Sequence, residues 1–361
     1  MTKQIAHKPI HGGNVWTAAQ SWGLPLDQIL DFSANINPLG PSPKARQAIE
    51  ENLAQLIHYP EPTGDSCKFS LARYLGVDSQ NLVLGNGGSE LIYLLGRMFY
   101  KGRLLLLAPC FSEYGEGLED PQLVRIPLDA DQQFEIPLRQ IIDTMQAGDV
   151  IFIGNPNNPT GNCFNSRELL QLAACAQEIK ATLVVDEAFL DFTGNPSLSL
   201  RHYVQDNPCL IVVGSLTKFF AIPGLRLGYA AAAADHISRM EFLLPTWRIN
   251  TLALAAGRAS LEDRDYIEKT VAIVNQERQF LLEQLQALPY LKVFPGSSNF
   301  LLINAQASGL TAAEWQQRLG PQGILIRNCQ NFANLSPYYF RIAVKRREQN
   351  LRLLEALHQF A

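Results

Sequence analysis

From residue 81 onward, short apolar runs each break off into a loop of glycine, asparagine, proline or serine, and this pattern limits the chain to very few folds. The runs are 81-NLVL-84, 104-LLLLAP-109, 149-DVIFIGN-155, 182-TLVV-185 and 211-IVV-213. Short segments rich in Leu, Val and Ile without polar alternation are the pattern of strands covered on both faces. Stretches with helical periodicity lie between them, at 66–75, 89–99 and 167–180. Alternation of this kind predicts an α/β fold with a doubly wound, mostly parallel central sheet and helices on both faces.

The remaining segments fill in around that sheet. A helical pattern covers 44–57 and stops at 58-HYPEP-62, and residues 235–288 are mostly helical, with an unbroken periodic run over 266–288. Beyond it the chain alternates again: strands at 291–295, 297–305, 324–329 and 338–344, and helices at 312–319 and 347–360. The expected organisation is a large domain of residues 44–285 and a small α/β domain built from 1–43 and 286–361. With 361 residues and 47% hydrophobic content there is enough apolar material for both cores.

Charge excludes some functions. A net charge of -4 and a charged fraction of 18% leave no basic stripe for nucleic acid. No apolar run reaches the roughly 20 residues that span a bilayer, and MTKQIAHKPIHGGN has no signal-peptide core, so the expected location is the cytoplasm, with no membrane partner. Cysteines 67, 110, 163, 175, 209 and 329 are scattered without a C-x-x-C pair, which predicts reduced thiols and no metal site.

The chemistry sits where the strands end. Lys218 follows the run at 211–213, with Ser215 three residues before it and Arg226 eight residues after it. An isolated lysine after a strand is normally solvated. Here a hydroxyl, an amine and a guanidinium together suit a small phosphorylated carbonyl compound, with the lysine forming a Schiff base and Ser215 and Arg226 binding the phosphate, which is the chemistry of pyridoxal phosphate. In 85-GNGGSE-90 the glycines before a helix offer backbone N–H groups to an anion, or place Ser89 as a simple cap. Asp186 ends an apolar strand, where a carboxylate is costly unless it meets a cation. Asn158 precedes a proline turn, and Arg327 and Arg341 interrupt apolar strands, where they either face solvent or meet an anion.

The S-x-x-K spacing with Arg226 beyond it, and 85-GNGGSE-90, 154-GNPNNPTG-161 and 183-LVVDEAFLDF-192 in that order, resemble the fold-type I pyridoxal-phosphate enzymes of the aspartate aminotransferase superfamily. The resemblance implies pyridoxal 5'-phosphate as cofactor, with Lys218 carrying it. Its phosphate would rest against Gly87, Gly88, Ser89, Ser215 and Arg226, and its ring under Phe111, or failing that Tyr114. The ring nitrogen would face Asp186 and the phenolic oxygen Asn158. Tyr59 matches a tyrosine that reaches the phosphate across a dimer interface, which implies a homodimer with shared active sites.

On the substrate side, 11-HGGN-14 and 31-DFSANINPLG-40 look like the threonine-phosphate decarboxylases of cobalamin synthesis, a branch close to the histidinol-phosphate aminotransferases. His11, Gly12, Asn35 and Asn158 would line the substrate, Arg341 would grip its α-carboxylate and Arg327 its phosphate. Phe189 stands where the aminotransferases usually have a tyrosine, and the decarboxylase branch resembles this chain there. The implied reaction is decarboxylation of a small phosphorylated amino acid, O-phospho-L-threonine, with histidinol-phosphate transamination as the alternative. A non-catalytic regulator on this fold would need a DNA-binding domain for which there is no room. A nicotinamide-binding domain would need a G-x-G-x-x-G after a strand, and none is present.

Overall fold

The computed structural model describes residues 11–119 and 121–359; the first ten residues of the expected small domain and the expected helix end at Phe360 lie outside them. In chain order the strands are β1 (Leu30–Asp31), β2 (Leu82–Gly85), β3 (Arg103–Ala108), β4 (Gln122–Pro127), β5 (Val150–Gly154), β6 (Thr182–Asp186) and β7 (Leu210–Ser215). There follow β8 (Gly228–Ala231), β9 (Lys292–Phe294), β10 (Phe300–Asn304), β11 (Ile324–Leu325), β12 (Arg327–Asn328) and β13 (Tyr339–Ala343).

A seven-stranded sheet in the order β2-β8-β7-β6-β5-β3-β4 forms the centre. It is parallel except at β8, which runs antiparallel to both neighbours. The link from β7 to β8 holds one four-residue helix and a 3₁₀ turn, too little for the crossover that parallel pairing requires. Alternate strand residues feed opposite faces. Leu105, Ile151, Leu183 and Val212 enter one apolar core, and Leu106, Phe152, Val184 and Val213 enter the other. The long helix Arg264–Gln286 leads to a four-stranded sheet, β12-β13-β10-β9, with its own core around Trp315, Leu301 and Phe340.

Three local expectations change. The strand expected over 324–329 is two strands: β11 pairs parallel with β1, and after Ile326 the chain joins the antiparallel sheet as β12. The helix expected over 44–57 spans Pro43–Asn52 and tightens into a 3₁₀ turn over Leu53–Ile57, where the Asn52 amide donates to the Ala48 carbonyl at 2.8 Å. The helix expected over 167–180 begins one residue earlier, as Ser166–Ile179, and Asn165 caps it, its oxygen accepting from the Arg167 N–H at 2.9 Å. No helix among the described residues is long and apolar enough to cross a membrane, and none of their His, Cys, Asp and Glu side chains cluster as a metal site. All six cysteines are free thiols.

Candidate active site

The parallel strands β5, β6 and β7 end together at Gly154, Asp186 and Ser215, beside a cavity of about 700 Å³. In doubly wound sheets the strands' carboxyl ends are where ligands bind, because the loops there are free to carry function.

One wall is an anion cradle. The helix Gly88–Phe99 points its first N–H groups at the cavity, with Gly88 and Ser89 on the lining. Ser89 lies inside this helix and does not cap it; Gly87 is the capping residue, without a side-chain bond. Gly87 has φ +85°, and a Cβ there would come within 2.5 Å of an Arg226 guanidinium nitrogen. A Cβ on Gly228 would meet the Gly88 nitrogen at 2.4 Å. Glycine at both positions lets β8 and Arg226 close on the helix start. Ser215 Oγ lies 2.7 Å from Thr217 Oγ1, which accepts from Lys218 Nζ at 3.1 Å.

Behind the lysine, Asp186 is 8% exposed, and its oxygens accept from Tyr114 Oη at 2.8 Å and from the Ala188 N–H at 3.0 Å. Burial raises its pKa, against the lowering pull of these donors and of Lys218. Burial, Arg226 and Arg341 push the Lys218 amine down to about 8, opposed by Asp186. Tyr114, the second choice for ring stacking, is buried on the cavity lining and stacks on Phe152 at 5.1 Å. Phe111, the first choice for ring stacking, lines the cavity 5.7 Å from Tyr114 and edge-on to it. Glu187 and Asp191 point away: Glu187 accepts from the Leu200 N–H at 2.8 Å, and burial lifts its carboxyl to about 7.

The opposite wall is cationic. Arg327 and Arg341 sit directly across from each other on β12 and β13, each 6% exposed, and both line the cavity. They face inward, not outward. Arg341 donates to Asn158 Oδ1 and, at 2.9 Å, to the Ser33 carbonyl, while its buried Nε meets no acceptor. Burial lowers its pKa to about 10. Arg327 donates to Asn331 at 2.8 Å and lies over the Phe332 ring. Asn35 is buried in the same cavity with both amide atoms unpartnered. His11 and Gly12 also reach the lining, and Phe189 presents a bare ring, edge-on to Phe300 at 5.1 Å.

Of the expected site residues, Gly87 and Tyr59 are not on the lining: Gly87 lies beside Arg226, and Tyr59 is on another surface. That tyrosine is 79% exposed and stacks on Trp247 at 4.6 Å. Sequence reasoning missed the Tyr114 bond to Asp186 and the hydroxyl of Thr217. Beside Asn158, Asn157 braces the turn, donating to Thr160 Oγ1 at 3.0 Å and to the Pro109 carbonyl at 3.0 Å.

The donor set fits a phosphorylated aldehyde with a protonatable ring nitrogen. The cradle suits the phosphate, the Lys218 amine the carbonyl, and the buried Asp186 carboxylate the cationic nitrogen.

Residues 27–357 match the family model of aminotransferase class I and II. The threonine-phosphate decarboxylase of Salmonella typhimurium is 36% identical over 96% of this chain and 95% of its own length. Among solved structures, the histidinol-phosphate aminotransferase of Clostridium acetobutylicum is similar with a TM-score of 0.86 and 32% identity, over 92% of this chain and 98% of that one. The L-threonine-O-3-phosphate decarboxylase of Porphyromonas gingivalis is similar at a TM-score of 0.80 and 26% identity, over 91% of this chain and 98% of that one.

Proposed function

We propose, for a chain that belongs to the aminotransferase class I and II family, that it removes carbon dioxide from O-phospho-L-threonine to give (R)-1-amino-2-propanol O-phosphate for corrinoid synthesis. Its cofactor is pyridoxal 5'-phosphate, which when bound supplies a ring able to take up the electrons of a bond breaking at the substrate's α-carbon. Lys218 would hold it through its amine, and the same amine would move protons at the substrate's α-carbon. Asp186 keeps the ring nitrogen protonated. Gly87, Gly88, Ser89, Ser215 and Arg226 would hold the cofactor phosphate, Phe111 would cover the ring, and Asn158 would take its phenolic oxygen. His11, Gly12, Asn35 and Asn158 face the substrate.

The observation that carries this reading is the opposed, buried pair Arg327 and Arg341 beside Lys218. Like charges directly opposite on neighbouring strands repel, and a ligand bearing two anionic groups relieves the repulsion. A phosphorylated amino acid brings a carboxylate for Arg341 and a phosphate for Arg327. Phe189, which has no hydroxyl, adds support from the decarboxylase branch. Incubating the holoenzyme with O-phospho-L-threonine and no keto acid should release carbon dioxide.

A second reading, histidinol-phosphate transamination, is favoured by the higher TM-score of the Clostridium enzyme. Glutamate formed from histidinol phosphate and 2-oxoglutarate, without carbon dioxide release from phosphothreonine, would establish it against the first. Under either reading we propose a cytoplasmic homodimer in which Tyr59 reaches the partner's cofactor phosphate. The proposed division is a large domain of 44–285 and a small one of 1–43 with 286–361.

A further inference from the structure

The cavity lining also carries a carboxylate that the proposed chemistry does not use. Glu113 lies on the lining with its side chain 12% exposed. One oxygen accepts from Tyr93 Oη at 2.6 Å, and the other stands 2.5 Å from His11 Nε2. Two short bonds fix the carboxylate, and the carboxylate fixes the imidazole. A carboxylate oxygen can only accept here, so Nε2 carries the proton, and Nδ1 is left as the nitrogen free to meet a ligand. The ring also rests 6.0 Å from Phe111. The backbone beside it is pinned: a Cβ on Gly12 would come within 2.2 Å of the Ser33 carbonyl oxygen, and the Gly13 N–H donates to Ser33 Oγ at 2.7 Å. His11 therefore cannot follow the carboxylate by sliding along the chain.

We infer that Glu113, held by Tyr93, is a positioning residue that aims His11 at the phosphate of the substrate. Nδ1–H of the protonated ring donates to a phosphate oxygen, while Nε2–H stays on Glu113. The carboxylate is thereby screened from the anionic ligand by the ring it holds. The inference rests on the proposed reading that the substrate is phosphorylated, and it adds the residue that orients the arm toward that phosphate.

Binding of O-phospho-L-threonine and of L-threonine to the borohydride-reduced holoenzyme, whose Lys218 cannot be displaced and which therefore does not consume them, measured by calorimetry, tests it. Glu113→Ala should weaken the phosphorylated ligand about tenfold and the unphosphorylated one by less than about twofold, as expected for loss of one charge-assisted bond. Glu113→Gln keeps an oxygen acceptor for Nε2–H and should stay within about threefold of wild type. In a double-mutant cycle, Glu113→Ala should add nothing to His11→Ala, because the first acts through the second. Additive losses, equal losses for both ligands, or unchanged binding in Glu113→Ala overturn the inference, as does a wild-type enzyme that binds the phosphorylated ligand no better than threonine. If phosphothreonine binds but the unreduced holoenzyme releases no carbon dioxide from it, the decarboxylase reading fails alone. The same cycle with histidinol phosphate and histidinol then decides the role of Glu113.

Discussion

At Lys218 the amine is held by Thr217 Oγ1 and depressed to about 8 from an ordinary 10.5 by burial and by its arginine neighbours. The neutral amine is the nucleophile, so capture of pyridoxal phosphate by the apoprotein should speed up with rising pH and level off above about 8, not above 10.5. Stopped-flow absorbance would read this, and in Lys218→Ala borohydride should trap nothing. Asp186→Asn keeps the Tyr114 and Ala188 neighbours but not the charge facing the ring, and turnover should fall by about 10²–10³ with the fold intact by circular dichroism. Lys218, Asp186 and the two arginines were legible in the sequence because each is a residue type that its apolar surroundings reject without a partner. The bond from Tyr114 to Asp186 was not, since Tyr114 lies in the loop after β3 and Asp186 at the end of β6, with β5 between those strands in the sheet, and no local pattern records that. Asn157 and Asn158 are equally silent: both precede the same turn, and only the fold decides which one braces it and which faces Arg341.

Among the elements, the start of the helix Gly88–Phe99 depends on β8 coming close. Gly228→Ala would set a methyl 2.4 Å from the Gly88 nitrogen, in backbone that cannot swing aside. We expect a loss of about 1–3 kcal/mol in a denaturant midpoint series and faster loss of cofactor on dilution, since strand and cradle shift together. The buried parallel strands could be read from their unbroken apolar runs, and the glycine loop from its composition. Residues 324–329 could not: ILIRNC is one apolar run, but the chain changes sheets at Ile326, and a change of partner leaves the run unaltered. Nor did the sequence order the strands, because β8 reverses for want of connecting length and not through any residue of its own.

For the whole molecule, the exposed side chains of Ile57, Tyr59 and Trp247 form the face where the proposed dimer would close. Ile57 is 84% exposed, and Ile57→Asp should shift sedimentation toward the monomer and lower activity in parallel, because each site would lose its partner's Tyr59. Activity unaffected by monomer formation would remove the shared site. Apart from this face, the molecule is tied by a very small stitch, the pairing of Leu30 and Asp31 with Ile324 and Leu325. The pair lies next to both Ser33, which takes Arg341, and Arg327. A shortened version lacking β1 would leave the backbone of β11 bare, a raw margin open to strands of other molecules. Such truncations should clump before they lose helix content, so solubility would report on this seam sooner than catalysis does.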